Sequence, residues 1–226
     1  MPSKNSIKSY EAGGYYHIYN RGVNRENIFV EERNYAYFLK LYARHVEPVV
    51  DTIAYCLLRN HFHLSVRVKS ELEIQTLRGS PASNHPVEQG NPANQDAGQS
   101  RKPLGSNYAS TQFSNFFNAY AKAINKAYNR TGSLFQHPFG RVMITTDRQL
   151  RKVIAYIHQN PQKHGFVGNF RDWKYSSYGI MLADKPTYLQ RDIVLDWFGG
   201  RDEYLELHSE WVTDARSKWF VEDDFD

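Results

Sequence analysis

The chain has 226 residues, of which 41% are hydrophobic and 23% charged, the composition of a globular protein long enough to bury a substantial core. No apolar run approaches the roughly 20 residues that a membrane-spanning helix needs. The N-terminal stretch "MPSKNSIKSYEAGG" has no apolar secretory core, and the single Cys56 excludes an intramolecular disulfide framework. A soluble, cytoplasmic protein with no membrane partner is therefore expected.

The formal net charge of +4 is a modest basic bias, but it is unevenly spread. From Gly140 to Tyr175 there are seven basic residues against two acidic ones, whereas from Asp196 to Asp226 there are ten acidic residues against three basic. These are either separate surfaces for separate partners or two solvated faces.

In chain order, "GYYHIYNR" (14–21) is rich in aromatic and β-branched residues and reads as a strand. "EERNYAYFLKLYARHV" reads as a helix with Phe38, Leu41, Tyr42 and His45 at helical spacing, closed by Pro48. "VVDTIAYCLL" and "HFHLSVRV" are two strands separated by Arg59-Asn60, the length of a tight hairpin turn. Residues 79–107 are dense in Gly, Pro, Ser, Asn and Gln without hydrophobic periodicity, and are expected to form a flexible loop. "YASTQFSNFFNAYAKAINKAYNR" is an amphipathic helix with Phe113, Phe116, Phe117, Tyr120 and Ile124 on its apolar stripe. "RVMITT" is a strand, and "DRQLRKVIAYIHQN" a helix with Asp147 at its N-cap and its end set by Pro161.

The order β-α-β-β-α-β-α predicts an α+β fold, a ferredoxin-like or RRM-like antiparallel sheet with helices on one face and an added C-terminal helix. The other face of the sheet is then open to a substrate.

Alternation along "HFHLSVRV" sends Phe62, Leu64, Val66 and Val68 to one face and His61, His63, Ser65 and Arg67 to the other. Two imidazoles at i and i+2 can converge on one cation, or they can be ring-fillers in a packed strand. One Cys and no other close His pair argue against a tetrahedral structural zinc site, whereas an open site suits Mg²⁺ or Mn²⁺, the latter favoured by imidazole ligands. In the last helix Leu150, Val153, Ile154 and Ile157 form the core stripe. Gln149, Lys152, Tyr156 and Asn160 share one flank, and His158 falls on the other. A phenol, an amide and a lysine can thus meet at a phosphate, or Tyr156 can pack its ring and wet its hydroxyl.

The triplet His61-Phe62-His63 in a hairpin strand, followed by a late helix with a tyrosine four residues before Asn-Pro, resembles the single-tyrosine HUH transposases of insertion sequences. The chain looks closest to their domesticated branch, the REP-associated tyrosine transposases. "YYHIYNRGVNRENIF", "AYCLLRNHFHLSV", "GSLFQHPFGRVMI" and "YIHQNPQKHGFV" resemble successive blocks of that family in order, over about residues 14–180. The resemblance implies metal-dependent cleavage and rejoining of single-stranded DNA next to hairpins through a covalent 5′-phosphotyrosine. It implies Tyr156 as nucleophile, His61 and His63 as the metal pair, and Asn160 as third ligand, where insertion-sequence members more often carry Gln. Residues 1–185 then form the transposase domain and residues 186–226 an acidic, partly helical extension. The partner is single-stranded DNA with palindromes, and the assembly a monomer or a homodimer.

Phosphate contacts are expected from Arg141, Arg148, Arg151, Lys152 and Lys163, with base stacking on Tyr15, Tyr16 or Phe135. Two other readings share the fold: a non-catalytic regulator that binds single-stranded nucleic acid, and a metal-dependent phosphodiesterase that uses water and dispenses with Tyr156.

Overall fold

The computed structural model describes residues 10–79 and 107–210. The expected loop, apart from its ends, and the acidic tail beyond Glu210 lie outside the described residues.

The strands are β1 (Tyr15–Arg21), β2 (Val50–Leu57), β3 (His61–Val68) and β4 (Gly140–Ile144). They form one antiparallel sheet in the order β2-β3-β1-β4. The hairpin joining β2 to β3 turns on Arg59-Asn60 as expected, with Leu58 N donating to the His61 carbonyl at 2.9 Å. The helices are α1 (Glu32–His45), α2 (Glu71–Gly79), α3 (Tyr108–Ala127), α4 (Asp147–Lys163), α5 (Tyr178–Leu182), α6 (Arg191–Phe198) and α7 (Arg201–Ser209). The α+β architecture read from the sequence is the one observed, with α2 and the helices of the extension as additions.

Period-two alternation divides the sheet between two cores. Ile18, Phe62, Leu64 and Val66 pack with Phe38 of α1 and Phe113, Phe116 and Tyr120 of α3. Ile53, Cys56 and Leu58 pack on the opposite side with Val153, Ile154 and Ile157 of α4, with Tyr178 of α5, and with Val194 of α6 and Tyr204 of α7. The second face is therefore not open. The apolar stripe of α4 needs a surface to bury against, and the run "TIAYCLL" is apolar on both faces, the signature of a strand covered on two sides.

Two local expectations at α4 are corrected. Its N-cap is Thr146 and not Asp147: Thr146 Oγ1 accepts from Gln149 N at 3.2 Å while Gln149 Oε1 accepts from Thr146 N at 3.2 Å, the reciprocal pair of a capping box. The helix also continues through Pro161 to Lys163. Pro161 falls in the last turn, where it forfeits one bond to the Ile157 carbonyl but buries its ring.

α7 is fastened to α4 by a buried relay. His208 Nδ1 faces the Tyr204 carbonyl at 2.7 Å and must donate to it. A neutral His208 then accepts at Nε2 from His158 Nδ1, 2.8 Å away, and the Ser177 hydroxyl, 2.7 Å from His158 Nε2, donates there. Gln159 Nε2 adds donations to the carbonyls of His208 at 3.2 Å and Glu210 at 2.6 Å. Burial pushes the His158 imidazole well below its usual range and lowers His208 to about 4, so both rings are neutral at pH 7.

Candidate active site

His61 and His63 lie on β3, on the face that α4 covers, and are buried with 4% and 1% exposure. Tyr156 and Asn160, one turn apart on α4, point onto the same patch of sheet. The Tyr156 ring meets His63 edge-on with centroids 5.5 Å apart, and Asn160 Oδ1 lies 3.5 Å from His61 Nε2. The four residues expected as nucleophile and ligands are thus brought together by two elements whose contact the order of secondary structure does not specify.

The hydrogen bonds around the imidazoles fix which atoms face one another. Asn60 Oδ1 accepts from His61 Nδ1 at 2.7 Å, so the neutral ring presents the Nε2 lone pair toward Asn160. Asn160 Nδ2 donates to the Tyr156 carbonyl at 3.2 Å, which orients the amide oxygen toward His61. Two electron-pair donors therefore converge at 3.5 Å. Two ligand atoms each about 2.1 Å from one cation, at octahedral or tetrahedral angles, stand about 3.0–3.5 Å apart. The donor set fits a divalent cation. Among the described residues no three His, Cys, Asp or Glu side chains gather as a metal cluster. Two imidazoles and an amide leave coordination positions to water or phosphate oxygens, the preference of Mg²⁺ and Mn²⁺.

Electrostatics agree with ligand chemistry. Burial lowers the His61 imidazole to about 3 and takes His63 well below its usual range, so neither ring competes for a proton near pH 7. Burial raises the Tyr156 phenol, a hydrogen bond with the Asn160 side chain opposes the rise, and the nearby Tyr19 phenol adds to it. Tyr156 is 2% exposed, so the arrangement described is one in which the phenol is protonated and screened from solvent.

The basic residues are placed unequally. Lys163 stands at the site, its Nζ 5.5 Å from the Tyr156 ring centroid. Lys152 is half-buried on α4 one turn before Tyr156, Arg148 is exposed at the start of the helix, and Arg151 is half-buried. Arg141 pairs with Ile18 across β4 and β1, so its side chain lies on the opposite face of the sheet, with the guanidinium 4.2 Å from the Tyr10 ring centroid. The stacking platform is corrected as well: Tyr16 and Phe135 are core residues, and Tyr15 packs edge-on against Trp197 at 5.4 Å.

Sequence reasoning missed His17, Tyr19 and Asn60. Alternation along β1 places Tyr15, His17 and Tyr19 on one face, a signal present in "YYHIYNR", but only the pairing of β1 with β3 shows that this is the His63 face. His17 Nε2 lies 2.9 Å from His63 Nδ1, and its ring meets that of Tyr156 edge-on at 5.9 Å. Gln159, next to the expected ligand, turns away toward α7.

No family model matches the chain. A curated Haemophilus influenzae protein that carries the provisional name REP-associated tyrosine transposase is 28% identical over 131 residues, covering 57% of this chain and 58% of that protein, less than two thirds of its length. A solved structure described as a REP-associated tyrosine transposase bound to a REP hairpin superposes with a TM-score of 0.53 at 16% identity, covering 81% of this chain and 88% of the other. The chain is therefore similar to REP-associated tyrosine transposases, in sequence over somewhat more than half its length and in fold over most of it.

Proposed function

We propose that this protein is a hairpin-binding transposase that cuts and rejoins single-stranded DNA through a 5′-phosphotyrosine on Tyr156, using Mg²⁺ or Mn²⁺ held by His61, His63 and Asn160. The observation that carries the proposal is the meeting of a tyrosine from α4 with two neutral imidazoles and an oriented amide oxygen on one patch of sheet. The fold shared with a hairpin-bound transposase supports DNA with a hairpin as the substrate.

When bound, the cation polarises the scissile phosphate and offsets the charge that develops on it. Tyr156 attacks in line: its oxygen bonds to phosphorus, the bond to the 3′ oxygen breaks, and the leaving 3′-hydroxyl takes a proton in place of the one the phenol gives up. Lys163 adds positive charge beside the Tyr156 ring, where phenolate and phosphate come together. Attack of another 3′-hydroxyl on the phosphotyrosine reverses the step and rejoins DNA without a nucleotide triphosphate. Because Tyr156 is 2% exposed, DNA reaches the phenol only when the surrounding segments part, which couples exposure of the nucleophile to substrate binding.

Incubation with labelled single-stranded hairpins and Mg²⁺ or Mn²⁺, read on a denaturing gel, tests the proposal. A protease-sensitive adduct that disappears with EDTA, with Tyr156→Phe and with His61→Ala/His63→Ala is expected. Cleavage without an adduct points to the water-using phosphodiesterase, and binding without cleavage to the regulator; either overturns the proposal.

A further inference from the structure

Each of the two proposed ligand imidazoles has its Nδ1 against a different protein group. His61 Nδ1 faces the Asn60 amide oxygen at 2.7 Å, and His63 Nδ1 faces His17 Nε2 at 2.9 Å. We propose that His17 is a positioning residue for the cation site: by accepting the Nδ1 proton of His63 it fixes the tautomer whose Nε2 lone pair binds metal. This inference rests on the cation reading above.

The geometry separates His17 from a ligand and from a core filler. Its ring lies only 26° from the plane of His63 with nitrogens 2.9 Å apart, the disposition of an in-plane N–H···N bond. A nitrogen engaged with Nδ1 lies across the ring from Nε2, so His17 holds His63 from behind. As a filler, an imidazole on β1 with 1% exposure is a poor choice, since burying a polar ring costs free energy that an apolar residue avoids. The register explains how the contact arises: Tyr19 is paired with His63 and His17 with Ser65, so His17 and His63 are diagonal neighbours on one face of adjacent strands. Asn60, at the hairpin turn, does for His61 what His17 does for His63. Groups that hold the second nitrogen of a metal-bound histidine orient the ring and strengthen it as a ligand, and their loss weakens metal binding about 10–100-fold.

The test is Mn²⁺ titration of the full-length protein, followed by electron paramagnetic resonance, with wild type, His17→Gln and His17→Leu. Gln can place an acceptor oxygen near the position of Nε2, whereas Leu cannot accept a hydrogen bond. We expect the dissociation constant to rise about 10–100-fold in His17→Leu and to stay within about threefold of wild type in His17→Gln. The His63 ring nitrogens, observed by ¹⁵N NMR in the metal-free wild type, give a readout that a merely structural role does not move: Nδ1 should carry the proton. A wild-type affinity in His17→Leu, a His17→Gln variant as weak as His17→Leu, or a wild-type His63 protonated at Nε2 overturns the assignment of His17. A wild-type protein that does not bind Mn²⁺ at all overturns the cation reading itself, and the inference with it.

Discussion

The buried His158–His208 relay predicts a specific acid sensitivity. Burial lowers His208 from 6.5 to about 4 in the folded chain, and the interaction with Arg171 works in the same direction against the hydrogen bond to the Tyr204 carbonyl. The unfolded chain takes up this proton as pH falls through 6.5, whereas the folded chain resists until about pH 4. His208 therefore stabilises the fold fully above pH 6.5, and its contribution is lost between pH 6.5 and 4. At about 1.4 kcal/mol per tenfold difference in proton affinity, the loss is about 3 kcal/mol. In His208→Gln the amide oxygen can still accept from His158 Nδ1, but the residue does not titrate. Urea unfolding of both proteins at pH 7.5, 6, 5 and 4 isolates the effect, because the other buried imidazoles are common to both. The variant should be less stable by about 1–2 kcal/mol at pH 7.5, for the lost bond to the Tyr204 carbonyl. By pH 4 that gap should have closed and reversed, a relative change of about 3 kcal/mol. A gap that stays constant within about 0.5 kcal/mol across the range refutes the neutral relay.

Gly140 pairs with Tyr19, and a Cβ built there would lie 2.0 Å from Cε2 and Cζ of the Tyr19 ring. Gly140→Ala should therefore cost about 1–3 kcal/mol in urea unfolding and displace Tyr19 from the site. Lys163→Ala should weaken binding of single-stranded DNA and flatten its dependence on salt, whereas Arg141→Ala, across the sheet, should leave DNA affinity within about threefold and act mainly on stability; fluorescence anisotropy at several salt concentrations distinguishes them. Thr146→Ala removes the cap of α4 and should lower stability by about 1 kcal/mol, measured by urea unfolding.

Much of the site was legible because it depends on local periods. Alternation alone puts His61 and His63 on one face of β3, and 3.6-residue spacing alone puts Tyr156 and Asn160 on one flank of α4 with His158 opposite. Both placements are observed. What sequence could not supply is which surfaces meet. α4 covers the face expected to be open because its apolar stripe and the doubly apolar β2 bury each other, a pairing of segments about a hundred residues apart. His17 enters the site through the β1–β3 register, and Arg141 leaves it through the β1–β4 register, both set by long-range hydrogen bonding that no local pattern specifies. Pro161 misled for a related reason: its local tendency to end a helix is outweighed by burial in the last turn, where Asn160 is held with no exposed surface.

The central proposal is that Tyr156 is the nucleophile that becomes linked to DNA. The most direct test is digestion of the protein after reaction with a hairpin-containing single strand and Mn²⁺, followed by mass spectrometry of the peptides. A nucleotide phosphate attached through its 5′ end to Tyr156, and to no other tyrosine among the sixteen in the chain, is the predicted result. Attachment to a different residue, or cleaved DNA with every tyrosine unmodified, would contradict it.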